Sequence, residues 1–453
     1  MSLLRPAVVL AFLLGACGGS GNGTTPAVDT DAGTDAGPEP TGMDATAEAQ
    51  ADAAVPSTIT VSTLAPAVPG SPGGKASAAW AAWQADDGPW QVLTPTAVGT
   101  YSFAATGARW AIALACADGS SSSAVDVHRR LADTVSLEVT LEPECLVTPA
   151  AFQTLSGTLS NVPATTTWLE LGYALESRGS ALAVSGTSAP YELVNLAAGG
   201  MWDFAFGLRD DSGGPLTRVL LQRGKAFTVD TVLDLDFTSA FVPIPKALAV
   251  HGLDAAEIVD AAIFYSSSGY AGLAVGPQNV PTSTPDVVTT YDTVPPASQI
   301  ASDHYRFTLI AAKDKTSAVV RTIEASFHAA IDVDLTLAPA IGAPTVTAKK
   351  TANSVEVSAR APVYAAAASY ALVASVALND RNRRAFRTTF TPSMVADTFV
   401  VTPDLAALPG FDPSWLLPQD SVVDVAAVAV EAPAALGDGT RTRTSSQKLS
   451  MTP

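Results

Sequence analysis

From Thr58 onward, polar and apolar residues alternate in short runs separated by clusters of Gly, Pro and Ser. Thr58-Ile-Thr-Val-Ser, Leu155-Ser-Gly-Thr-Leu-Ser and Ser354-Val-Glu-Val-Ser all repeat with period two. That spacing buries one face of a strand and leaves the other wet. No 3.6-residue period extends past three turns. A helix competes only in the Ala-rich stretch from Tyr364 to Leu378. There Tyr370, Leu372 and Ala374 alternate with Ala371, Val373 and Ser375, which favours a strand. The pattern predicts an all-β chain.

Self-comparison adds a repeat. Trp110-Ala-Ile-Ala-Leu-Ala-Cys116 lines up with Trp202-Asp-Phe-Ala-Phe-Gly-Leu and with Tyr305-Arg-Phe-Thr-Leu-Ile-Ala. A second landmark follows each: Leu137-Glu-Val-Thr-Leu141, Leu233-Asp-Leu-Asp-Phe237 and Ile331-Asp-Val-Asp-Leu335. The spacing of roughly 95 residues is the size of one Ig-like β-sandwich. Three related modules are expected, at 58–149, 150–243 and 244–339, with Pro-containing joints at Pro149, Pro243 and Pro339. Residues 340–453 break the repeat. Their strand order resembles a fibronectin type III domain, without a Trp in the second strand or a Tyr opening the Val422 strand, and implies a fourth sandwich.

The N-terminus is built differently. Arg5 precedes an apolar stretch from Ala7 to Ala16, the layout of a signal peptide over residues 1–16. Leu14-Gly15-Ala16-Cys17 resembles the lipobox of bacterial lipoproteins, which implies cleavage before Cys17 and acylation of it. Two or more acyl chains make a stable membrane anchor. Gly18, in place of an acidic residue, resembles lipoproteins sent to the outer membrane. Residues 17–57 then read as a disordered acidic tether. It holds Asp29, Asp31, Asp35, Glu39, Asp44, Glu48 and Asp52, and no Lys or Arg.

Composition now reads more sharply. Of the net charge of −18, those seven carboxylates belong to the tether, so the folded part is only mildly acidic. The acidic balance counts against nucleic acid, because phosphate binding needs clustered Lys and Arg. The positive mean hydropathy of +0.26 is carried largely by Ala. Past the signal peptide, no apolar run reaches the ~18–20 residues of a spanning helix.

The most distinctive local run is Trp80-Ala-Ala-Trp83-Gln84-Ala-Asp86-Asp87-Gly88-Pro-Trp90-Gln91. Asp87-Gly88 signals a hairpin turn, and pairing across it would set Trp83 near Trp90. With Tyr101-Ser-Phe103 and the strand ending at Cys116, the run resembles a repeat of uncharacterised bacterial lipoproteins. That resemblance implies secretion and modular β-structure, and no activity. Two readings stand open for Trp80, Trp83, Asp86, Asp87 and Trp90. They form a ligand site, with indoles stacking sugar rings or the carboxylates holding Ca²⁺, or they are a Trp-rich minicore of the first sandwich. Two carboxylates fall short of the six to eight oxygens that Ca²⁺ takes.

With Cys17 acylated, Cys116 and Cys145 remain as an even pair, which in an exported protein reads as a disulfide. The chain-entropy model gives such a bridge on the order of 3.5 kcal/mol. His128, His251, His304 and His328 lie outside any metal motif, and no Gly-x-Ser-x-Gly elbow occurs. Asp234, Asp236, Asp332 and Asp334 read as a solvated strand face. His128-Arg129-Arg130 reads as a loop on a solvated edge, and Arg381 to Arg387 as a charged hairpin tip.

These features predict a lipid-anchored outer-membrane protein, facing the periplasm or the cell surface, that acts by binding or spacing. Its expected partners are the membrane, through the lipid on Cys17, and a glycan or envelope protein. No cofactor or catalysis is expected. The alternative is an exported polysaccharide-acting or carbohydrate-binding protein using the Trp80–Trp90 region.

Overall fold

The computed structural model describes residues 57–65, 74–116, 123–131, 138–141, 143, 151–172, 180–198, 201–211, 214–226, 229–267, 270–276, 286–314, 316–378 and 383–453. The expected signal peptide, Cys17, nearly all of the tether, and Cys145 lie outside the described residues. Among those described the fold is all-β, with several sheets and four short 3₁₀ turns. This arrangement is in keeping with β-sandwich modules. The Ala-rich stretch that could have been helical is a strand, Ala367–Ala377.

One pairing pattern occurs three times. A first strand pairs antiparallel with a later one and parallel with the last: Ser57–Ala65 with Thr100–Ala105 and Glu138–Leu141. Ala151–Ser160 does so with Ala189–Ala198 and with Thr231–Val232 and Leu235–Asp236. Ile244–His251 does so with Val287–Thr293 and Val333–Thr336. Opposite each of these sheets stands a row of four strands. In the third copy its order is Tyr270–Ala274, Ile258–Ser267, Asp303–Ala312 and Val319–Phe327. The recurring landmarks in the sequence are therefore the parallel last strand and the third strand of that row.

The exposed aspartates help close these sheets. Where a parallel strand begins, the residue before it takes the backbone N–H just ahead of the first pair. Asp230 Oδ1 accepts from Thr154 N at 2.7 Å, Asp234 Oδ1 from Thr158 N at 2.8 Å and Asp332 Oδ1 from Ala247 N at 2.9 Å. Each carboxylate extends the ladder by one rung at the point where the backbone partner runs out. Asp236 instead accepts from Asn161 Nδ2 and caps the turn Phe237–Ser239. Replacing Asp332 by Ala should cost about 1 kcal/mol, read as a lower urea midpoint with an unchanged slope.

The larger feature is a sheet of thirteen strands that runs through residues of the 58–149, 244–339 and 340–453 stretches. Val319–Phe327 pairs antiparallel with Gly439–Met451, which leads through Val423–Glu431 and Ala367–Ala377 to Arg383–Phe390. Arg383–Phe390 then pairs in parallel with Ser123–Leu131, from Arg384 opposite Ser123 to Phe390 opposite Arg129. Beyond it lie Arg109–Ala115, Trp80–Ala85 and Gln91–Val92.

This sheet explains the alanines. In Arg109–Ala115, every residue after Arg109 is buried. Trp110, Ile112 and Leu114 face a core with Ile59, Val61, Tyr101 and Phe103. Ala113 and Ala115 face the other way, into a core shared with Phe386, Phe411, Trp415 and Val425 of the C-terminal domain. A strand covered on both faces reads as a continuous apolar run. The small methyl groups let the second layer pack close.

Candidate functional site

The aromatic hairpin lies at the seam between the N-terminal strands and the C-terminal domain. Trp80–Ala85 pairs with Gln91–Val92 so that Trp83 faces Gln91. The expected Trp83–Trp90 pairing is thus off by one residue. Because side chains alternate along a strand, this slip sends the two rings to opposite faces. Trp83 stacks on Phe103 at 4.9 Å in the N-terminal core. Trp80 and Trp90 turn to the C-terminal domain. The turn residue with positive φ is Asp86, at 46°; its Oδ1 accepts from Arg109 N at 2.9 Å. Asp87 is exposed at the tip.

Trp80 is the anchor of the seam. It is 6% exposed, and its indole N–H donates to Pro409 O at 3.0 Å. Its ring meets Phe411 edge-on at 5.1 Å, and Phe411 meets Trp415 in the same way. Gly410, at φ +78°, makes the turn that carries Pro409 O to the indole. A face already covered by Phe411 offers no ring for a sugar.

Both basic runs of the sequence also meet here. His128, Arg129 and Arg130 lie on the strand Ser123–Leu131, in the middle of the large sheet and not in an edge loop. Arg383, Arg384 and Arg387 lie on the strand Arg383–Phe390 and not on a hairpin tip; Arg381 is outside the described residues. Arg129 Nη2 donates to Val400 O at 3.1 Å and its guanidinium lies 5.2 Å from the Phe399 ring centre. Burial lowers its pKa to about 10. Arg384 Nη1 donates to Leu416 O. Arg387 and Asp126 are register partners and both are buried. The alternation Val125-Asp-Val127-His128 was the signal for this strand, obscured by its charged residues, of which Asp126 and His128 are buried.

Other buried ionisable groups bind one part of the chain to another. Arg209 reaches from the second repeat to Ala274 O of the third at 2.6 Å and holds Glu170 at 2.8 Å. Arg223 spans the same boundary to Asp303, with N–O distances of 2.6 and 3.0 Å. Asp303, 1% exposed, also accepts from Ile300 N and from the Tyr265 hydroxyl. Its oxygens are filled by donors, as in a structural anchor.

The histidines are dispersed. His251 Nδ1 lies 2.9 Å from Asp286 Oδ1 and Nε2 lies 3.3 Å from Asp334 Oδ1. The Asp286 hydrogen bond, followed by the carboxylate charges, holds its pKa above the usual value. Ser445 and Lys448 are spaced as in a Ser-x-x-Lys motif, but they lie on one strand, Gly439–Met451, where positions three apart point to opposite faces. Ser445 Oγ accepts from Ile341 N and Lys448 pairs with Asp424. A groove of about 510 Å³ crosses Ser156, Thr158, Tyr191, Glu192 and Asp234. Its polar groups are engaged at home: Asp234 by Thr158 N, and the Tyr191 hydroxyl by Leu233 O. Among the described residues, no three His, Cys, Asp or Glu side chains group as metal ligands. Cys116, 5% exposed, has a bonded or interacting partner.

No family model and no curated protein matches the chain. A comparison of structures aligns 62% of it with "The Bacillus anthracis TIE protein" at 10% identity and a TM-score of 0.15. The chain spans about half the length of that structure, with 50% of it covered.

Proposed function

We propose that the chain is an outer-membrane lipoprotein, anchored through acylated Cys17 and held off the membrane by the tether of residues 17–57. Its Ig-like modules (58–149, 150–243, 244–339) and fibronectin III-like domain (340–453) act by binding or spacing, without catalysis. The supporting observation is the thirteen-stranded sheet, which makes the N-terminal strands, the third repeat and the C-terminal domain one body. Arg209 and Arg223 join the second repeat to the third. A Cys116–Cys145 disulfide belongs to the same reading of an exported protein. The sugar-platform alternative draws little support from the hairpin, since Trp80 and Trp83 face opposite ways.

Cells fed radiolabelled palmitate test the proposal. Wild type should incorporate label and fractionate with the outer membrane, and Cys17→Ala should do neither. Equal labelling of the two would overturn the anchor.

A further inference from the structure

We propose that the parallel seam between Ser123–Leu131 and Arg383–Phe390 is an acid-opened joint, with His128 as its trigger. His128 is buried, 7% exposed, one register pair from the end of that seam. Its Nδ1 lies 2.6 Å from Thr389 Oγ1 on the facing strand, while Nε2 has no hydrogen-bond partner among the described residues. An imidazolium carries N–H at both nitrogens, so protonation would add a buried donor at Nε2, which has no hydrogen-bond partner in the closed joint.

The surroundings oppose the charge. On its own strand, Asp126 and Arg130 share its face. Across the seam the register puts Arg387 opposite Asp126 and Thr389 opposite His128. The other neighbour, Arg109–Ala115, contributes Trp110, Ile112 and Leu114 to that face, none of them titratable in this range. Burial first, then the charges of Arg130 and Arg387, lower the pKa of His128 to about 3. Asp126 faces Arg387, so one carboxylate stands against two guanidiniums; a further cation is relieved by parting the strands, which lets water reach the group.

The sign follows from proton linkage. In the parted state His128 returns to its ordinary value of 6.5 and binds the proton; in the closed state it does so only near pH 3. The closed joint is therefore fully favoured above pH 6.5 and loses ground as pH falls toward 3. At pH 4.5 the closed-to-open ratio should be about a hundredfold below its value at pH 7.5. Opening would bare the edge of Arg383–Phe390, and it works against the apolar core around Trp80 and Phe411 that also joins the two parts.

The test uses the full chain with a dye pair at the exposed positions Val98 and Val363. Energy transfer in wild type should fall as the pH drops from 6.5 toward 3. In His128→Gln, which cannot take a proton, the closed-to-open ratio should change less than threefold between pH 7.5 and 4.5. Equal pH responses in the two proteins, or a wild type fully closed at pH 3, would overturn the proposal. Should His128→Gln fail to fold, ¹³C-histidine NMR of wild type decides. A His128 resonance that titrates near 6.5 in the closed protein contradicts the trigger, and one that stays neutral to below pH 4 until the transfer signal falls supports it.

Discussion

Replacing Glu257 by Ala is expected to cost about 3–5 kcal/mol, the penalty for breaking a buried ion pair by removing one partner. Arg321 and Glu257 are each 3% exposed at the side chain. Arg321 Nε donates to Glu257 Oε1 at 3.2 Å and Nη2 donates to Oε2. Nη1 donates to Gly252 O at 2.8 Å and Ala338 O at 3.1 Å, and Asp254 N closes the network on Glu257 Oε2 at 2.8 Å. Four of the five guanidinium N–H groups are met by hydrogen bonds, so the pair holds in the folded chain despite its desolvation. Without the Glu257 carboxylate, the guanidinium keeps two carbonyls and only the exposed Asp254 carboxylate, 3.7 Å from Nη2, as counter-charge. The pair links the Ile258 and Val319 strands to Ala338, beside the joint to the C-terminal domain. Urea unfolding should show a large drop in midpoint for Glu257→Ala. The double change Glu257→Leu with Arg321→Met should recover most of it, because an apolar pair needs no neutralisation. A single change within about 0.5 kcal/mol of wild type would show that the pair is solvated.

Trp80→Ala is expected to cost about 3–5 kcal/mol at the seam, the usual range for truncating a buried Trp. The loss has two parts. One is the indole surface packed on Phe411; the other is its N–H bond to Pro409 O, a contribution on the order of 1 kcal/mol. Trp80→Phe should lose the second part and keep much of the first, giving an intermediate value. Trp83→Ala should instead loosen the N-terminal core around Phe103 and leave the seam intact. Hydrogen exchange mapped onto the two regions separates the outcomes. A Trp80→Ala protein that keeps full protection on both sides of the seam would remove Trp80 from its anchoring role.

Much of the fold was legible in local pattern. Period-two alternation marked strands such as Ser57–Ala65 and Val355–Arg360, and it resolved Ala367–Ala377 against a helix. The repeat of Trp110, Trp202 and Tyr305 marked equivalent strands. The seam was not legible. His128 and Thr389 are 261 positions apart, and no local pattern announces which strand of a distant module will lie beside another. The charged residues of Ser123–Leu131 and Arg383–Phe390, among them the buried Asp126, His128 and Arg387, made two interior strands look like exposed turns. The hairpin failed by a single residue of register, enough to separate Trp83 from Trp90 and to turn one surface into two, each partly buried against a different core. The acidic positions were read correctly as exposed, but their ladder-extending role at Asp230, Asp234 and Asp332 depends on where a parallel partner begins.

The central claim is that the N-terminal module and the C-terminal domain share one sheet through Ser123–Leu131 and Arg383–Phe390. Amide hydrogen exchange on the full-length protein at neutral pH tests it most directly. The seam predicts that amides of Arg383–Phe390 exchange as slowly as those of the neighbouring interior strand Ala367–Ala377. Exchange of Arg383–Phe390 at the rate of a free sheet edge, with Ala367–Ala377 still protected, would contradict it.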